Sequence, residues 1–325
     1  MKPLYPHPMR IVVTGAAGFI GSNLTAALLK RGHSVVALDD LSLGKESNLA
    51  AVRERITFIC GSITDPEVLL KVTSGADRIV NLAAASASPM FSLERVGTAV
   101  FTNVQGFMNV LTAAVRNRVK RVLYASTSSV YGNNPPPLTE DMKLDPPNMY
   151  AATKLENEFC AKIFSQEFGL ETAGFRFLSV YGPQEESKGR YANLASQFLW
   201  EALQNQSPII YGDGEQTRDF TYVKDVVQAL ILGLESPLPL HGEIFNVGSG
   251  TSYSLNELVG FLQKMIGKEV RPQHVPNPVK NYIWSQDADI SKIRRVLGYV
   301  PAYLLEQGLR DMLPQVRLQE IRKEV

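Results

Sequence analysis

The sequence of 325 residues lacks the features that define several classes of protein. It has two cysteines, Cys60 and Cys160, which are too few for a disulfide framework and show no metal-ligand spacing. We interpret both as small apolar side chains in a reducing compartment. The 33 Lys and Arg residues nearly balance the 32 Asp and Glu residues, so the formal net charge of +1 gives no global field that attracts nucleic acid or an anionic membrane.

Long apolar runs are missing as well. None approaches the roughly 20 residues that a transmembrane helix needs, and we predict no membrane association. The segment from Met1 to Met9 holds three prolines and no apolar core, so we expect a short arm at residues 1–9 rather than a signal peptide or a membrane anchor. With 45% hydrophobic and 20% charged residues, the composition is that of a globular protein, and we expect a cytoplasmic location.

Strand and helix patterns alternate through the first half of the chain. Helices are predicted over Phe19–Arg31 and Ala99–Asn117, between short runs rich in β-branched residues. These runs, which predict buried strands, are residues 10–14, 34–38, 56–59, 78–82 and 121–125. The alternation predicts an α/β fold with a doubly wound parallel sheet of the Rossmann type, in which ligands bind at the carboxyl ends of the strands.

A glycine-rich turn, Gly15-Ala16-Ala17-Gly18-Phe19-Ile20-Gly21, joins the first predicted strand to the first predicted helix. Glycines let the backbone approach a pyrophosphate, and the helix N-terminus supplies unpaired N–H groups. Asp39 ends the second strand, where a carboxylate accepts hydrogen bonds from an adenosine ribose and repels a 2′-phosphate. The combination predicts NAD as the cofactor, with Asp40 either sharing the ribose contact or lying in a solvated turn.

The pattern changes after about Phe175. Turn-forming residues become frequent, as at Tyr181-Gly182-Pro183 and Tyr211-Gly212-Asp213-Gly214, and the helices between them are shorter. We predict an NAD-binding domain at residues 10–175. Residues 176–325 are predicted to form a smaller, mixed α/β region that mainly binds substrate and is interleaved with the last strands of the sheet.

Tyr150 and Lys154 are four residues apart, which places a phenol and an ammonium on one face of a helix. An ammonium close to a phenol lowers the phenol's pKa from about 10, and such a pair can exchange a proton with a sugar-like hydroxyl. Taken alone, this spacing is also that of an ordinary surface pair. The run Ala125–Gly132, rich in Ser and Thr, is by itself typical of a turn whose hydroxyls bond the backbone.

Together, the glycine turn and the Tyr-x-x-x-Lys spacing about 130 residues later resemble the extended short-chain dehydrogenase/reductase superfamily. More narrowly, the chain resembles the NAD-dependent nucleotide-sugar epimerases and dehydratases, above all the UDP-hexose 4-epimerases. The resemblance implies that Tyr150 takes a proton from a sugar hydroxyl while a hydride passes from the same carbon to NAD. It implies that Lys154 holds the nicotinamide ribose and, with the positive nicotinamide, lowers the pKa of the tyrosine, and that Thr127 hydrogen-bonds the reacting oxygen.

The resemblance also implies a set of binding residues. Those expected at the cofactor are Gly15, Gly18, Phe19, Ile20, Gly21, Asp39, Asp40, Ser62, Ile63, Leu82, Ala83, Ala84, Asn103, Tyr150 and Lys154. Those expected at the substrate are Ser126, Thr127, Ser179, Asn193, Leu194, Tyr211, Arg218 and Lys280. Arg218 would grip the diphosphate, unless it pairs only with Asp219 or Asp213. Lys280 stands in for a second diphosphate-binding arginine of the relatives, and no metal site is expected.

Departures from the relatives' pattern favour one reaction. Dehydratases place Asp-Glu directly after the catalytic threonine and decarboxylating relatives tend to keep a glutamate in this loop, whereas this sequence has Ser128-Ser129. The arginine that binds the carboxylate in UDP-glucuronate epimerases has no counterpart in Gln184-Glu185-Glu186, which favours an uncharged hexose or its N-acetyl form.

The sequence therefore predicts an isomerase that inverts C4 of UDP-glucose, UDP-galactose or their N-acetyl forms through a transient 4-keto intermediate, with the hydride returned to the opposite face. The alternatives are a nucleotide-sugar dehydratase, decarboxylase or reductase of the same family, and a non-catalytic NAD-sensing regulator. By resemblance, the helices at Ala99–Asn117 and Tyr150–Phe168 form the interface of a homodimer.

Overall fold

A parallel sheet of seven strands forms the centre of the molecule in the computed structural model, which describes residues 8–321. The strands are β1 (Arg10–Thr14), β2 (Ser34–Asp39), β3 (Thr57–Cys60), β4 (Arg78–Asn81), β5 (Arg121–Thr127), β6 (Glu171–Phe177) and, later in the chain, β9 (His241–Val247). Their order across the sheet is β3-β2-β1-β4-β5-β6-β9. The winding therefore reverses between β1 and β4, and the predicted doubly wound fold is confirmed.

Helices cover both faces of this sheet and also build the C-terminal part of the molecule. The described helices are α1 (Phe19–Lys30), α2 (Pro66–Val72), α3 (Val96–Val100), α4 (Gly106–Arg116), α5 (Met149–Phe168), α6 (Leu194–Leu203), α7 (Val223–Glu235), α8 (Leu255–Ile266), α9 (Ser291–Leu297) and α10 (Leu305–Met312). One core lies between the sheet and α1, α7 and α9, and another lies between the opposite face and α2, α4 and α5. Because both faces are covered, the central strands are apolar almost throughout.

A third core belongs to the C-terminal part of the chain. Helices α6, α8 and α10 pack around it, beside two small sheets. In these sheets β7 (Ile209–Tyr211) runs parallel to β11 (Gln273–Val275), and β8 (Thr217–Arg218) runs antiparallel to β10 (Tyr253–Ser254). Since β9 returns to the central sheet, residues after 176 contribute to both parts of the molecule.

The structure differs locally from the sequence predictions at one strand and one helix. The strand predicted to end at Ala125 continues to Thr127, because Ser126 and Thr127 pair in register with β6. The helix predicted over Ala99–Asn117 is divided into α3, a wider turn at Phe101–Gln105, and α4. At Gly106 the helix passes so close to Ile63 that a Cβ would lie 2.6 Å from its Cδ1.

Of the predicted N-terminal arm, only Pro8 and Met9 lie within the described residues. Met9 is buried, and its N–H donates to Nδ1 of His33 at 3.2 Å. Within residues 8–321, no helix combines the length and the apolar character that crossing a membrane requires.

Candidate active site

A cavity of about 760 Å³ lies at the carboxyl ends of the central strands, where the C-terminal part of the chain covers them. Most of the residues predicted to bind cofactor or substrate line it. They are Gly15, Gly18, Phe19, Ile20, Gly21, Asp39, Asp40, Ser62, Ile63, Leu82, Ala83, Ala84, Ser126, Thr127, Tyr150, Lys154, Ser179, Asn193, Leu194 and Arg218. The fold thus brings the predicted cofactor, catalytic and diphosphate residues to one space.

The glycine turn is built for a close approach of backbone to ligand. Gly15 has a φ of +65°, and a Cβ there would lie 2.7 Å from the amide nitrogen of Ala83. A Cβ on Gly21 would lie 2.0 Å from the carbonyl oxygen of Gly15, so side chains are sterically excluded at both positions. No side chain caps the start of α1 at Gly18, and the first N–H groups of this helix therefore remain for an anion. These features fit the pyrophosphate of a dinucleotide.

Asp39 and Asp40 have different roles in this wall. The Asp39 carboxylate accepts the N–H of Ala17 at 2.9 Å and that of Leu41 at 2.8 Å, and burial raises its pKa. It therefore braces the glycine turn, while a carboxylate's four lone-pair positions leave room for ribose hydroxyls. Asp40 is exposed and accepts the N–H and the hydroxyl of Ser42 at 3.0 and 2.6 Å.

The three residues predicted to be catalytic converge. Thr127 is the last residue of β5, and Tyr150 lies in the first turn of α5, which begins where the Asn148 side chain accepts the N–H of Ala151 at 3.0 Å. The Tyr150 hydroxyl is hydrogen-bonded to the Thr127 side chain. One turn further along α5, the Lys154 Nζ donates to the carbonyl oxygen of Ala125 at 3.2 Å.

Burial governs the proton affinities of this pair. It raises the pKa of Tyr150, and the hydrogen bond with Thr127 opposes that rise. The Phe91 ring, whose centroid lies 6.0 Å from that of Tyr150, adds to the apolar surroundings. Burial also lowers the pKa of Lys154, which is 3% exposed, to about 8. In the protein alone the pKa of Tyr150 is therefore raised, opposite to the predicted direction, because desolvation outweighs the hydrogen bond with Thr127.

Ser126 lines the cavity, but its hydroxyl is engaged by a buried neighbour. Its hydroxyl donates to Oε1 of Glu158 at 2.5 Å, and Arg176 donates to both oxygens of the same carboxylate, at 2.9 and 2.7 Å. Arg176 also donates to the hydroxyl of Tyr131 at 2.8 Å. The side chain predicted to contact substrate is therefore also part of a buried network next to the catalytic loop.

Asn103, which is predicted to lie at the cofactor, is 2% exposed and is not part of the cavity wall. Its Oδ1 accepts the N–H of Ala85 at 2.8 Å, and its Nδ2 donates to the Ala85 carbonyl at 3.1 Å and to the Thr153 hydroxyl at 3.0 Å. Asn103 thus ties the turn after β4 to the helix that carries Tyr150 and Lys154.

Arg218 lines the cavity, and no carboxylate among residues 8–321 forms an ion pair with it. It donates to the carbonyl oxygens of Thr217 and Ile283 at 2.7 Å and of Trp284 at 3.0 Å. The alternative pairing with Asp219 or Asp213 is wrong. Because the guanidinium is held by neutral groups, its positive charge is available to an anionic ligand.

The Asp219 carboxylate is occupied elsewhere. It accepts the N–H and hydroxyl of Ser249, both at 2.7 Å, and the N–H of Gly250 at 3.0 Å. Burial raises the pKa of Asp219 to about 6. Its role is to hold the turn after β9 beside the strand that carries Arg218.

Two predicted substrate residues lie outside the cavity wall. Tyr211 is 38% exposed at the end of β7, and Lys280 lies in an exposed loop. The predicted replacement of a second diphosphate arginine by Lys280 therefore does not fit this structure. Ser179, in contrast, lines the wall with a φ of 30°, a conformation that side chains rarely adopt.

The wall residues that the sequence did not reveal include Lys188 and Gln286. The Nζ of Lys188 lies 3.1 Å from Oε1 of Glu185 and 5.8 Å from the ring centroid of Phe19 in the glycine turn. The same carboxylate accepts the N–H of Asn193, whose own side chain caps α6. Neither missed residue lies in a local motif, and only their long-range contacts reveal them.

Comparisons with known proteins agree with this geometry. The model of the NAD dependent epimerase/dehydratase family matches residues 11–248. The UDP-N-acetyl-alpha-D-glucosaminuronate decarboxylase of Bacillus cytotoxicus is 33% identical over 95% of this chain and 98% of its own length.

Two solved structures are similar over nearly the whole chain. The UDP-glucose 4-epimerase of Thermotoga maritima, solved with UDP-glucose, has a TM-score of 0.88 at 31% identity, covering 94% of this chain and 98% of its own. The UDP-glucuronic acid 4-epimerase of Bacillus cereus, solved with UDP-glucuronic acid and NAD, has a TM-score of 0.88 at 29% identity, covering 97% and 100%. The similar proteins thus include epimerases and a decarboxylase.

Proposed function

The chain belongs to the NAD-dependent epimerase/dehydratase family, and from that premise we propose that it inverts C4 of an uncharged UDP-hexose, without net consumption of NAD. The observation that carries the proposal is the meeting of Thr127, Tyr150 and Lys154 in the cavity that also holds the glycine turn and Arg218. A catalytic group lies there between a dinucleotide site and a cation suited to a sugar diphosphate.

The residues around the glycine turn would hold NAD. Its pyrophosphate would lie against the N-terminus of α1, and its adenosine ribose would lie near Asp39 and Asp40. When bound, NAD supplies reversible oxidation and reduction at the sugar carbon. The Lys154 ammonium, fixed by the Ala125 carbonyl, is placed to contact a hydroxyl-bearing ligand beside Tyr150.

Proton transfer is the task of Tyr150. Its hydroxyl already shares a hydrogen bond with Thr127, so a sugar hydroxyl at that point would contact both side chains. As phenolate, Tyr150 takes the proton of the C4 hydroxyl while the ketone forms, and as phenol it returns this proton while the ketone is reduced. Burial raises the pKa of Tyr150, so its phenolate is a strong base, and the hydrogen bond with Thr127 stabilises its charge. The Lys154 ammonium, one turn further along α5, would add to this stabilisation.

The catalytic loop favours epimerisation over elimination. Ser128 and Ser129 line the cavity where a dehydratase would need an acid and a base. An epimerase needs no second acid and base, because the 4-keto sugar only has to rotate in the site before it is reduced on its other face. Hydroxyl groups therefore suffice beside Thr127. Dehydration, decarboxylation and reduction of a nucleotide sugar are the alternative reactions within the family.

Product identification tests the proposal. The protein is incubated with UDP-glucose, UDP-galactose and their N-acetyl forms without added NAD, and the products are identified by NMR. We expect interconversion in both directions. A 4-keto-6-deoxy product would replace the proposal with a dehydratase, and binding of NAD without turnover of any nucleotide sugar would favour the sensing regulator.

Replacing Tyr150 by Phe is the matched test of the assigned base. We expect turnover to fall at least about a hundredfold, since general acid–base catalysis contributes factors of this size. NAD content, measured by absorbance and calorimetry, should remain that of the unchanged protein. Near-normal turnover of the variant would mean that another group moves the proton.

We propose a domain division, a location and an assembly on the same grounds. Residues 10–175 form the NAD-binding part and residues 176–325 mainly bind substrate. The protein works in the cytoplasm, in keeping with its family and composition. It acts as a homodimer, for which the exposed apolar residues of α5 provide the surface.

A further inference from the structure

Gln286 makes an unusual contact between the two parts of the molecule. It is 6% exposed and lines the cavity, and its Nε2 donates to the hydroxyl oxygen of Ser128 at 2.9 Å. Ser128 directly follows Thr127 and is 3% exposed. A side chain from the C-terminal part thus fixes a hydroxyl next to the reacting position.

The pair presents donors and one acceptor. One of the two N–H groups on Nε2 of Gln286 donates to Ser128, and no hydrogen bond to its Oε1 is found within residues 8–321. The Ser128 oxygen accepts from Gln286, so its own proton remains for another acceptor. A sugar hydroxyl, which both donates and accepts, satisfies both positions. A carboxylate only accepts, and would meet Oε1 of Gln286 with repulsion.

Hydrogen bonds also fix the position of Gln286 relative to Arg218, the residue proposed to bind the diphosphate. The carbonyl oxygens of Ile283 and Trp284 hold the Arg218 guanidinium, and the N–H of Gln286 donates to the Thr217 carbonyl at 3.2 Å. One extended segment, residues 283–286, therefore contacts the diphosphate arginine at one end and the catalytic loop at the other. A UDP-sugar held by Arg218 would bring its sugar to Ser128 and Gln286.

The charges that flank Gln286 are negative. Asp287 follows it directly, and Asp287 is near enough to the buried Asp219 to raise that carboxyl's pKa. Two cations of the wall lie in other contacts: Lys154 at the Ala125 carbonyl and Lys188 at Glu185. Neither lysine is hydrogen-bonded to Gln286 or Ser128.

We propose that Gln286, with Ser128, is a specificity-determining residue that binds a hydroxyl of the sugar and rejects a carboxylate at the same place. This rests on the proposed 4-epimerase function and adds to it the residue that selects a neutral hexose over a uronic acid. Gln286 reaches the substrate from the C-terminal part, outside the Ser/Thr-rich loop that the sequence singles out.

The test compares UDP-glucose with UDP-glucuronic acid as substrates. For the unchanged protein we expect kcat/KM to favour UDP-glucose by at least about tenfold, which one good hydrogen-bonded contact can supply. Gln286→Ala should lower kcat/KM for UDP-glucose by about tenfold and leave UDP-glucuronic acid nearly unaffected. Gln286→Lys should shift the preference toward UDP-glucuronic acid, and Ser128→Ala should reproduce the loss with UDP-glucose alone.

Controls separate this role from a structural one. Gln228→Ala removes a half-buried glutamine on α7 that accepts the N–H of Val300, outside the cavity, and should leave the substrate ratio unchanged. The affinity for UDP, measured by calorimetry, should be the same in Gln286→Ala as in the unchanged protein. Equal losses on both substrates, or a matching loss of UDP affinity, would overturn the inference.

The inference and the proposed function can fail separately. Calorimetric affinities of the NAD-loaded protein for UDP-glucose and UDP-glucuronic acid report the discrimination without turnover. If neither sugar is epimerised but UDP-glucose binds more tightly in a Gln286-dependent way, the function fails and the inference stands. If UDP-glucuronic acid is epimerised as well as UDP-glucose, the inference fails and the epimerase remains.

Discussion

At the scale of single residues, burial pushes Tyr150 and Lys154 toward their neutral forms. The pKa of the phenol is raised and that of the amine is lowered to about 8, because neither charge is well solvated. A buried lysine is retained at a cost in stability, which is understandable if its positive charge is needed for ligand binding and for the phenolate.

The first residue-scale prediction concerns the pH dependence of activity. As pH rises through about 8, Lys154 loses its proton, and kcat/KM should fall with it because the neutral amine supports neither a ribose contact nor the phenolate. A pH series of initial rates measures this limb. In Lys154→Arg the positive charge persists, so the decrease of kcat/KM near pH 8 should disappear even if the rate is lower overall. A decrease near pH 8 that remains in this variant would mean that another group causes it.

The second residue-scale prediction concerns stability. Because the folded pKa of about 8 lies below the ordinary 10.5, the unfolded chain binds more protons between these values. The contribution of Lys154 to the free energy of unfolding therefore rises with pH across this window and is most unfavourable below it. Lys154→Met should stabilise the protein at pH 7 by roughly 1–3 kcal/mol, and by less near pH 10, in denaturant unfolding. Equal effects at both pH values would contradict this.

The sequence predicts those functional residues that lie close together along the chain. The glycine turn and the Tyr150/Lys154 spacing are local patterns, and local geometry brings their members together. The hydrogen bond of Ser126 to Glu158, 32 residues further along the chain, lies outside any such local pattern. Gln286 lies in no such pattern, since its partner Ser128 is 158 residues away in the chain.

At the scale of elements, α5 carries three functional side chains at a spacing of four. Tyr150 and Lys154 line the cavity, and Glu158 continues the same face beneath β5, where it accepts from Ser126 and Arg176. The helix thereby fixes the end of the strand that presents Thr127. The sequence predicted the helix and its first two residues, but the buried partners of Glu158 come from other strands.

Glu158→Gln tests this coupling. The change leaves the buried Arg176 charge uncompensated, which typically costs about 3–5 kcal/mol, and frees Ser126 at the end of β5. We expect a lower melting temperature and a kcat reduced more than KM is raised. The double variant Glu158→Gln, Arg176→Met should recover part of the stability, and Glu167→Gln, at an exposed position of α5, serves as control. An unchanged melting temperature of Glu158→Gln would show that the network is not coupled to the fold.

At the scale of the whole molecule, the two parts of the chain meet along one extended segment. Residues 283–286 contact Arg218 and Ser128, and further on the N–H of Leu138 donates to the Asp287 carbonyl at 2.8 Å. The alternation of strands and helices predicted the sheet, because a parallel sheet covered on both faces imposes that pattern. The segment that joins the two parts is irregular, and its position follows from tertiary contacts alone.

The outer surface of α5 leads to a prediction for the assembly. Phe159 is 60% exposed and Ile163 is 47% exposed on this helix, and Phe101, 53% exposed, lies in the turn that packs against it. Large apolar side chains grouped in this way favour association, since burying them removes apolar surface from water. We expect a dimer by light scattering coupled to size exclusion.

Paired charges on this face should break the dimer. Phe159→Lys with Ile163→Lys places two positive charges on α5, next to their copies in the second subunit, so a monomer that still binds NAD is the expected product. Leu238→Lys, at an exposed apolar position elsewhere, is the matched control and should remain dimeric. A dimer that survives the double change would place the interface on another surface, because two unpaired lysines cannot be buried at an apolar contact without a large loss of affinity.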